Sequence, residues 1–143
     1  MTWFVDTNVV VYALTAGQRR KPCLQLLQAV AEGEVRATTS SLVIEELWHL
    51  EGRLGLATGS ARAALEVFPE LLSVGDRVIM SAMDDTTTVG FTSLATAHRV
   101  HVATCRTERL VGIISADKAF DAVAGLRRIE PDEAGIAELL TAD

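Results

Sequence analysis

Trp3-Phe4-Val5-Asp6-Thr7-Asn8 is the stretch that first indicates the fold. Its first three residues are bulky and apolar, as in a short buried strand, and the next three are residue types that begin helices. A carboxylate that follows a parallel strand lies at the edge where open α/β sheets build their sites. The same side chain can instead do no more than cap the following helix. The role of Asp6 therefore depends on what the rest of the chain brings to that edge.

The remaining sequence alternates short apolar runs with longer helical patterns. Further strands are predicted at residues 35–38, 78–80, 110–114 and 126–129, with helical segments between them. These segments include a helix over residues 60–72 and a helical region that begins at Asp84. Strands separated by helices require right-handed crossovers, which produce a parallel sheet covered by helices on both faces. Because no linker, repeat or low-complexity stretch interrupts the pattern, the sequence predicts one α/β domain over residues 1–143.

Composition excludes several classes of protein. Of the 143 residues, 49% are hydrophobic and 22% are charged, which is typical of a globular domain rather than a disordered tail. The net charge of −6 argues against broad, salt-driven adhesion to nucleic acid or anionic membranes, although an acidic nuclease site would itself contribute negative charge. Two cysteines are too few for a disulfide framework. Without a signal peptide or a long apolar segment, the expected location is the cytoplasm, away from membranes.

Two further acids are candidates for the edge that holds Asp6. Asp117 follows the predicted strand 110–114, and the predicted helix after Ser41 carries Glu45 and Glu46. At about 100° per residue, Glu46 lies roughly 80° from the centre of the apolar face, whereas Glu45 lies about opposite to it. Glu46 is therefore the better candidate, unless both are ordinary exposed charges. Together with Asp6 and Asp117 it would form an oxygen-rich site suited to Mg²⁺ or Mn²⁺.

The chain resembles the PIN-domain ribonucleases, above all the VapC toxins of toxin–antitoxin pairs. The resemblance is carried by three segments: Val5-Asp6-Thr7-Asn8, Ser41-Leu42-Val43-Ile44-Glu45-Glu46-Leu47 and Ile113-Ile114-Ser115-Ala116-Asp117-Lys118-Ala119-Phe120-Asp121. It implies a three-layer α/β/α sandwich around a parallel sheet of order 3-2-1-4-5. It also implies metal-dependent hydrolysis of RNA that leaves a 5′-phosphate and a 3′-hydroxyl, a homodimer, and inhibition by a small antitoxin.

The resemblance also assigns site residues by position. Asp6, Glu46 and Asp117 match the acidic residues that hold the metal, and Asn8 and Ser115 match polar residues that orient them. A role is assigned only at positions where this chain has the same residue type as the family motif.

One position departs from the family pattern. Family members place an aspartate at the start of a helix of the form Asp-Ala-Leu-His-Leu-Ala-Thr-Ala. The matching segment here is His98-Arg99-Val100-His101-Val102-Ala103-Thr104-Cys105, so His98 stands where the aspartate is expected. A neutral imidazole can ligate a metal and would favour Mn²⁺ or another transition metal over Mg²⁺. Alternatively, the site is impaired and the protein is a binding or assembly module.

Other residues allow competing interpretations. His98, His101 and Cys105 share one helical face, which suggests zinc, but a packed face is favoured because a single helix contributes and a fourth ligand cannot be named. The cluster Arg19-Arg20-Lys21 either contacts phosphate or forms a solvated turn.

Aspartyl-phosphate chemistry is a second enzymatic alternative, since such folds also place an aspartate after the first strand. They require another aspartate two residues later. Asn8 stands at that position, which disfavours this alternative.

Overall fold

Short strands alternate with helices in the computed structural model, which describes residues 1–142. The strands are β1 (Trp3–Val5), β2 (Ala37–Thr38), β3 (Gly112–Ile114) and β4 (Arg127–Ile129). The helices are α1 (Thr7–Leu14), α2 (Arg20–Ala31), α3 (Ser41–Leu50), α4 (Ser60–Val67), α5 (Asp76–Asp84), α6 (Thr96–Thr107) and α7 (Glu133–Thr141), and a 3₁₀-helix covers Lys118–Ala122.

The four strands form one parallel sheet of order β2-β1-β3-β4, flanked by helices. Val5 of β1 is paired with Ile114 of β3, and the amide of Asp6 donates a 3.1 Å hydrogen bond to the carbonyl of Ile114. This register places Asp6 and Ser115, the residues that follow β1 and β3, next to each other at the carboxyl edge of the sheet. The α/β architecture expected from the sequence is therefore present.

The predicted five-strand order 3-2-1-4-5 is wrong in its strand count. Residues 78–80, predicted as the third strand, belong to α5. Val78 and Ala82 are buried four residues apart, whereas Met80 is 59% exposed, which is the pattern of a helix with one face on the core. The other four strands keep the predicted order. Beside β2, a single parallel bridge between Ser40 and Leu72 stands where the predicted third strand would extend the sheet.

Two predicted helical segments also differ in extent. The helix predicted over residues 60–72 ends at Val67, because Pro69 disfavours helical backbone in Phe68. The helical region predicted from Asp84 onward begins only at Thr96. Asp85 instead accepts hydrogen bonds from the amides of the two threonines that follow it closely, at 87 and 88, which stabilises a turn.

The core is continuous around the buried strands. All residues of β1 and β3 are buried, and the ring of Phe4 lies 5.2 Å from the ring of His101, which places α6 against β1. This packing brings α6 to the sheet beside Asp6. Within residues 1–142, none of the helices combines the length and apolar character that crossing a membrane requires.

Candidate functional site

Asp6 both caps a helix and lies at the centre of a polar cluster. As N-cap of α1, its Oδ1 accepts a 2.8 Å hydrogen bond from the amide of Thr7. Its Oδ2 accepts hydrogen bonds from the hydroxyl of Ser115 at 2.6 Å and from the Asn8 side-chain amide at 3.2 Å. Since Asp6 is only 3% exposed, these donors replace the water that a carboxylate would otherwise bind. The capping and site interpretations are therefore compatible.

Asn8 and Ser115 connect Asp6 to the loop that follows β3. Asn8 Nδ2 donates to Ser115 Oγ at 3.1 Å, and Asn8 Oδ1 accepts a 3.1 Å hydrogen bond from the amide of Ala116. Ser115 Oγ in turn accepts a 3.0 Å hydrogen bond from the amide of Asp117. The two residues assigned as orienting groups thus contact both Asp6 and the backbone that carries Asp117.

Asp117 faces the first histidine of α6. As N-cap of the 3₁₀-helix, its Oδ1 accepts a 2.9 Å hydrogen bond from the amide of Ala119. Its Oδ2 lies 3.3 Å from His98 Nε2, and the ring of His98 packs against Phe120 with centroids 4.7 Å apart. The Asp117 side chain is 35% exposed, so it lies at the mouth of the cluster.

Glu46 reaches the same cluster from α3. Its Oε2 accepts a 3.0 Å hydrogen bond from the hydroxyl of Thr7, while Glu45 is exposed, as helical geometry predicted. Burial alone would raise the pKa of Glu46. The closeness of His101, the Thr7 hydroxyl and His98 lowers it more, so the net pKa lies below its ordinary value. The Glu46 side chain is therefore ionised at neutral pH.

His101 was left out of the predicted acidic site, because the sequence reasoning favoured a packed helical face for it. Its Nε2 lies 3.5 Å from Asp6 Oδ1 and 3.2 Å from Glu46 Oε1, between the two carboxylates. The ring is fully buried, yet neither nitrogen has a hydrogen-bond partner of acceptable geometry. The close approach to Glu46 is thus a contact without hydrogen-bond alignment. Its spacing of three residues from His98 was the signal that could have placed it here, because both point from one face of α6.

The zinc interpretation of this face of α6 requires Cys105 as a third ligand beside His98 and His101. Cys105 is buried, and burial, helped by the charge of Asp6, raises the pKa of its thiol to about 12. A buried thiol with a raised pKa is typical of an unreactive, packed cysteine. Within residues 1–142, no three His, Cys, Asp or Glu side chains are already arranged around one point as metal ligands.

The chemistry of the donor set nevertheless fits a divalent cation. Three carboxylates from separate elements meet two imidazoles there, and Glu46 Oε1 is buried without a hydrogen-bond partner. Such a concentration of negative charge and free lone pairs is stabilised by a bound cation. Glu46 and Asp117 are about one third exposed, so their side chains have room to rotate toward such an ion.

The basic cluster at residues 19–21 is partly engaged within the fold. Arg19 forms an ion pair with Glu130 and packs over the ring of Tyr12, with its guanidinium carbon 5.2 Å from the centroid. These contacts favour the structural interpretation for Arg19, whereas Arg20 and Lys21 are exposed.

Comparisons of the sequence and of the fold with known proteins identify the family of this chain. Residues 3–126 match the PIN domain. The chain is 29% identical to Ribonuclease VapC7 of Mycobacterium tuberculosis over 143 residues, an alignment covering 95% of this chain and 96% of that protein. It also superposes on a toxin–antitoxin complex from Klebsiella pneumoniae with a TM-score of 0.64 and 20% identity, covering 92% of this chain and 98% of that chain. At that identity the likeness concerns the fold. Because the family match spans most of its length, the chain belongs to the PIN domain family.

Proposed function

We propose that this protein is a divalent-metal-dependent endoribonuclease that hydrolyses RNA phosphodiester bonds. Asp6, Glu46 and Asp117 are the residues proposed to hold the metal, with Asn8 and Ser115 orienting them. The observation that carries the proposal is the contact of Asp6 and Glu46 with His101, while Asp117 contacts His98 on the same helix. The sequence likeness to Ribonuclease VapC7 supports the same activity.

The chain's own residues divide the work according to their burial. Asp6 is buried and fixed by three hydrogen bonds, so it supplies a rigid ligand at the base of the site. Glu46 and Asp117 are about one third exposed, so they are accessible to an RNA that binds from solvent. A divalent cation, Mg²⁺ or Mn²⁺, supplies charge neutralisation and water activation when it is bound. It also offsets the repulsion between this acidic site and the phosphates of RNA.

The partners proposed for this protein follow from its relatives. The resemblance to the VapC toxins, which the likeness to Ribonuclease VapC7 supports, implies a toxin of the VapBC type. It also implies a cognate antitoxin that holds the protein inactive and a homodimer acting in the cytoplasm. The fold likeness to a toxin–antitoxin complex fits the same interpretation. The continuous hydrophobic core of this chain supports the proposal that residues 1–143 form a single domain. Co-expression with the product of an adjacent reading frame, followed by co-purification and growth measurements, tests the toxin role against a processing role.

A second candidate function is that of a catalytically impaired PIN domain acting as a binding or assembly module. The observation that favours it is His98, which lies 3.3 Å from Asp117 where the family pattern has an aspartate. A histidine at this place reduces the number of carboxylates available to a metal.

One ribonuclease assay separates the two functions. The wild type, Asp6→Asn and His98→Asp are compared in Mn²⁺, in Mg²⁺ and in EDTA, with Asp84→Asn as a control because Asp84 is exposed on α5. If the protein is a metal-dependent ribonuclease, the wild type and the control should cleave RNA, and the cleavage rate of Asp6→Asn should be lower by about 100-fold or more. In EDTA, no cleavage is expected from any of the proteins. A silent wild type that His98→Asp activates supports the module instead. Activity that survives EDTA rules out the metal mechanism.

A further inference from the structure

We propose that the metal site of this chain is a mixed nitrogen and oxygen site, in which His101 and His98 ligate a divalent transition metal such as Mn²⁺. The inference rests on the proposed function, because the same carboxylates hold the ion. It goes further in assigning two imidazole ligands and, with them, a preference for transition metals over Mg²⁺.

The position of His101 is the first observation. Its ring is fully buried, and both of its nitrogens lack hydrogen-bond partners in residues 1–142. Buried polar atoms are nearly always satisfied in folded proteins, and an exception calls for a specific cause such as a catalytic role or a bound ion. Glu46 Oε1, which faces His101 Nε2, is also buried without a partner. Two unsatisfied atoms, one nitrogen and one oxygen, therefore border the same small space.

The spacing of the side-chain atoms is the second observation. Two atoms bound to one ion at about 2.1 Å are separated by about 3.0 Å in octahedral and about 3.4 Å in tetrahedral geometry. His101 Nε2 lies 3.2 Å from Glu46 Oε1 and 3.5 Å from Asp6 Oδ1. His98 Nε2 lies 3.3 Å from Asp117 Oδ2. Each pair thus has the separation of neighbouring ligands. The proposal requires the partly exposed side chains of Glu46, His98 and Asp117 to rotate until both groups share one ion.

The tautomer of His101 is the third consideration. Because no donor approaches Nδ1 among the described residues, no hydrogen bond obliges Nε2 to carry the ring proton. Nε2 can therefore present a lone pair toward the carboxylates, as a neutral imidazole ligand does. His98 points to the same side from one helical turn earlier, with a ring centroid 6.4 Å from that of His101.

Imidazole ligation can be detected directly by pulsed electron paramagnetic resonance on full-length protein loaded with Mn²⁺, since the method reports ¹⁴N nuclei coupled to the ion. The matched control is His49→Gln, because His49 is exposed on α3 and lies beside Arg53. We expect ¹⁴N coupling in the wild type and in His49→Gln, and a reduced coupling in His98→Gln and in His101→Gln. If His101→Gln fails to fold, His98→Gln still tests the assignment. The His98 side chain is 25% exposed, so its replacement should disturb the fold less than replacement of the buried His101.

Calorimetric titration with Mn²⁺ and Mg²⁺ gives a second readout. His98→Asp should lower the ratio of Mn²⁺ to Mg²⁺ affinity about tenfold, since it replaces a nitrogen ligand by oxygen. An unchanged ratio together with Mn²⁺ coupled to no nitrogen overturns this inference. If the protein gives both of these results but still cleaves RNA in Mn²⁺, the proposed ribonuclease function remains valid. A protein that binds neither metal refutes both, and cleavage in EDTA refutes the metal-dependent function itself.

Discussion

The hydroxyl of Ser115 donates a 2.6 Å hydrogen bond to Asp6 Oδ2, joining two residues that are 109 positions apart in the sequence. The contact follows from the pairing of Val5 with Ile114, because the next residue of each strand then lies at the same edge of the sheet. A buried, charge-assisted hydrogen bond at this point fixes the Asp6 carboxylate relative to the loop after β3. The organisation of the site is therefore a direct product of the parallel register of β1 and β3.

Metal binding should stabilise the folded protein. At a Mn²⁺ concentration of 100 times the dissociation constant, we expect the free energy of unfolding of the wild type to rise by about 2.7 kcal/mol, provided that the unfolded chain does not bind the ion. Asp6→Asn and Asp117→Asn should remove most of this increase, because each deletes a proposed ligand charge. Urea denaturation with and without Mn²⁺ measures it. Asp84→Asn should behave as the wild type; an equal loss of the Mn²⁺ effect there would refute a localised site.

Arg128 should contribute far more to stability than its neighbour Arg127. The Arg128 side chain is 10% exposed, donates a 2.8 Å hydrogen bond to the Ser115 carbonyl and forms ion pairs with Asp121 and Glu130. We expect Arg128→Ala to lower the free energy of unfolding by about 2 to 3 kcal/mol, mainly because Glu130 and the carbonyl lose a charged partner.

Arg127→Ala is the matched control for that measurement. Arg127 pairs with Glu138 in a bridge whose side chains are each 54% exposed, and it also packs over Trp3. Solvent screening limits such a pair, so its loss should cost about 1 kcal/mol or less. Chemical denaturation of both variants gives the comparison. Equal losses would show that the buried contacts of Arg128 have no special weight.

Gly90→Ala should be more destabilising than Gly125→Ala. Both glycines have φ of +79°, so each substitution should cost about 1 kcal/mol through backbone strain. At Gly90, however, an added Cβ would lie 1.9 Å from the carbonyl oxygen of Ala122, whereas nothing lies within 4 Å at Gly125. Overpacking should add about 1 to 3 kcal/mol at Gly90. Thermal or urea unfolding of the two variants tests the difference, and equal values would contradict the close approach.

Asp85 should make stability depend on pH in the acidic range. Hydrogen bonds from the amide and hydroxyl of Thr88, with smaller contributions from Thr87 and Arg106, hold the pKa of Asp85 well below its usual value of 3.8. A depressed carboxylate pKa stabilises the fold above the unfolded-state pKa, and the contribution disappears as pH falls through the folded-state pKa. The free energy of unfolding of the wild type should therefore exceed that of Asp85→Asn at about pH 5.

The difference between these two proteins should shrink steadily as the pH is lowered below about 4. Denaturation curves collected between about pH 5 and about pH 2 measure it. Asp84→Asn is the control, since Asp84 is exposed and neighbours Asp85. A constant difference between the wild type and Asp85→Asn across this range would contradict the assigned cause.

The local features of the fold were predictable because they depend on neighbours in the sequence. Apolar residues followed by Asp-Thr-Asn identified β1 and the start of α1, and helical geometry separated Glu46 from the exposed Glu45. The strand predicted at residues 78–80 was wrong because a run of three apolar residues fits a strand and one turn of a helix equally well. Only packing of Val78 and Ala82 against the core distinguishes them.

The sequence by itself determined which side chains were available at the sheet edge, since residue type and the order of strands and helices are local properties. Tertiary structure alone decided that the ring of His101 lies between Asp6 and Glu46, within 3.5 Å of both. That position depends on α6 packing against β1 and on α3 turning Glu46 inward. Such contacts between distant segments arise from burial of apolar surface in the whole core, and no single stretch of the chain encodes them.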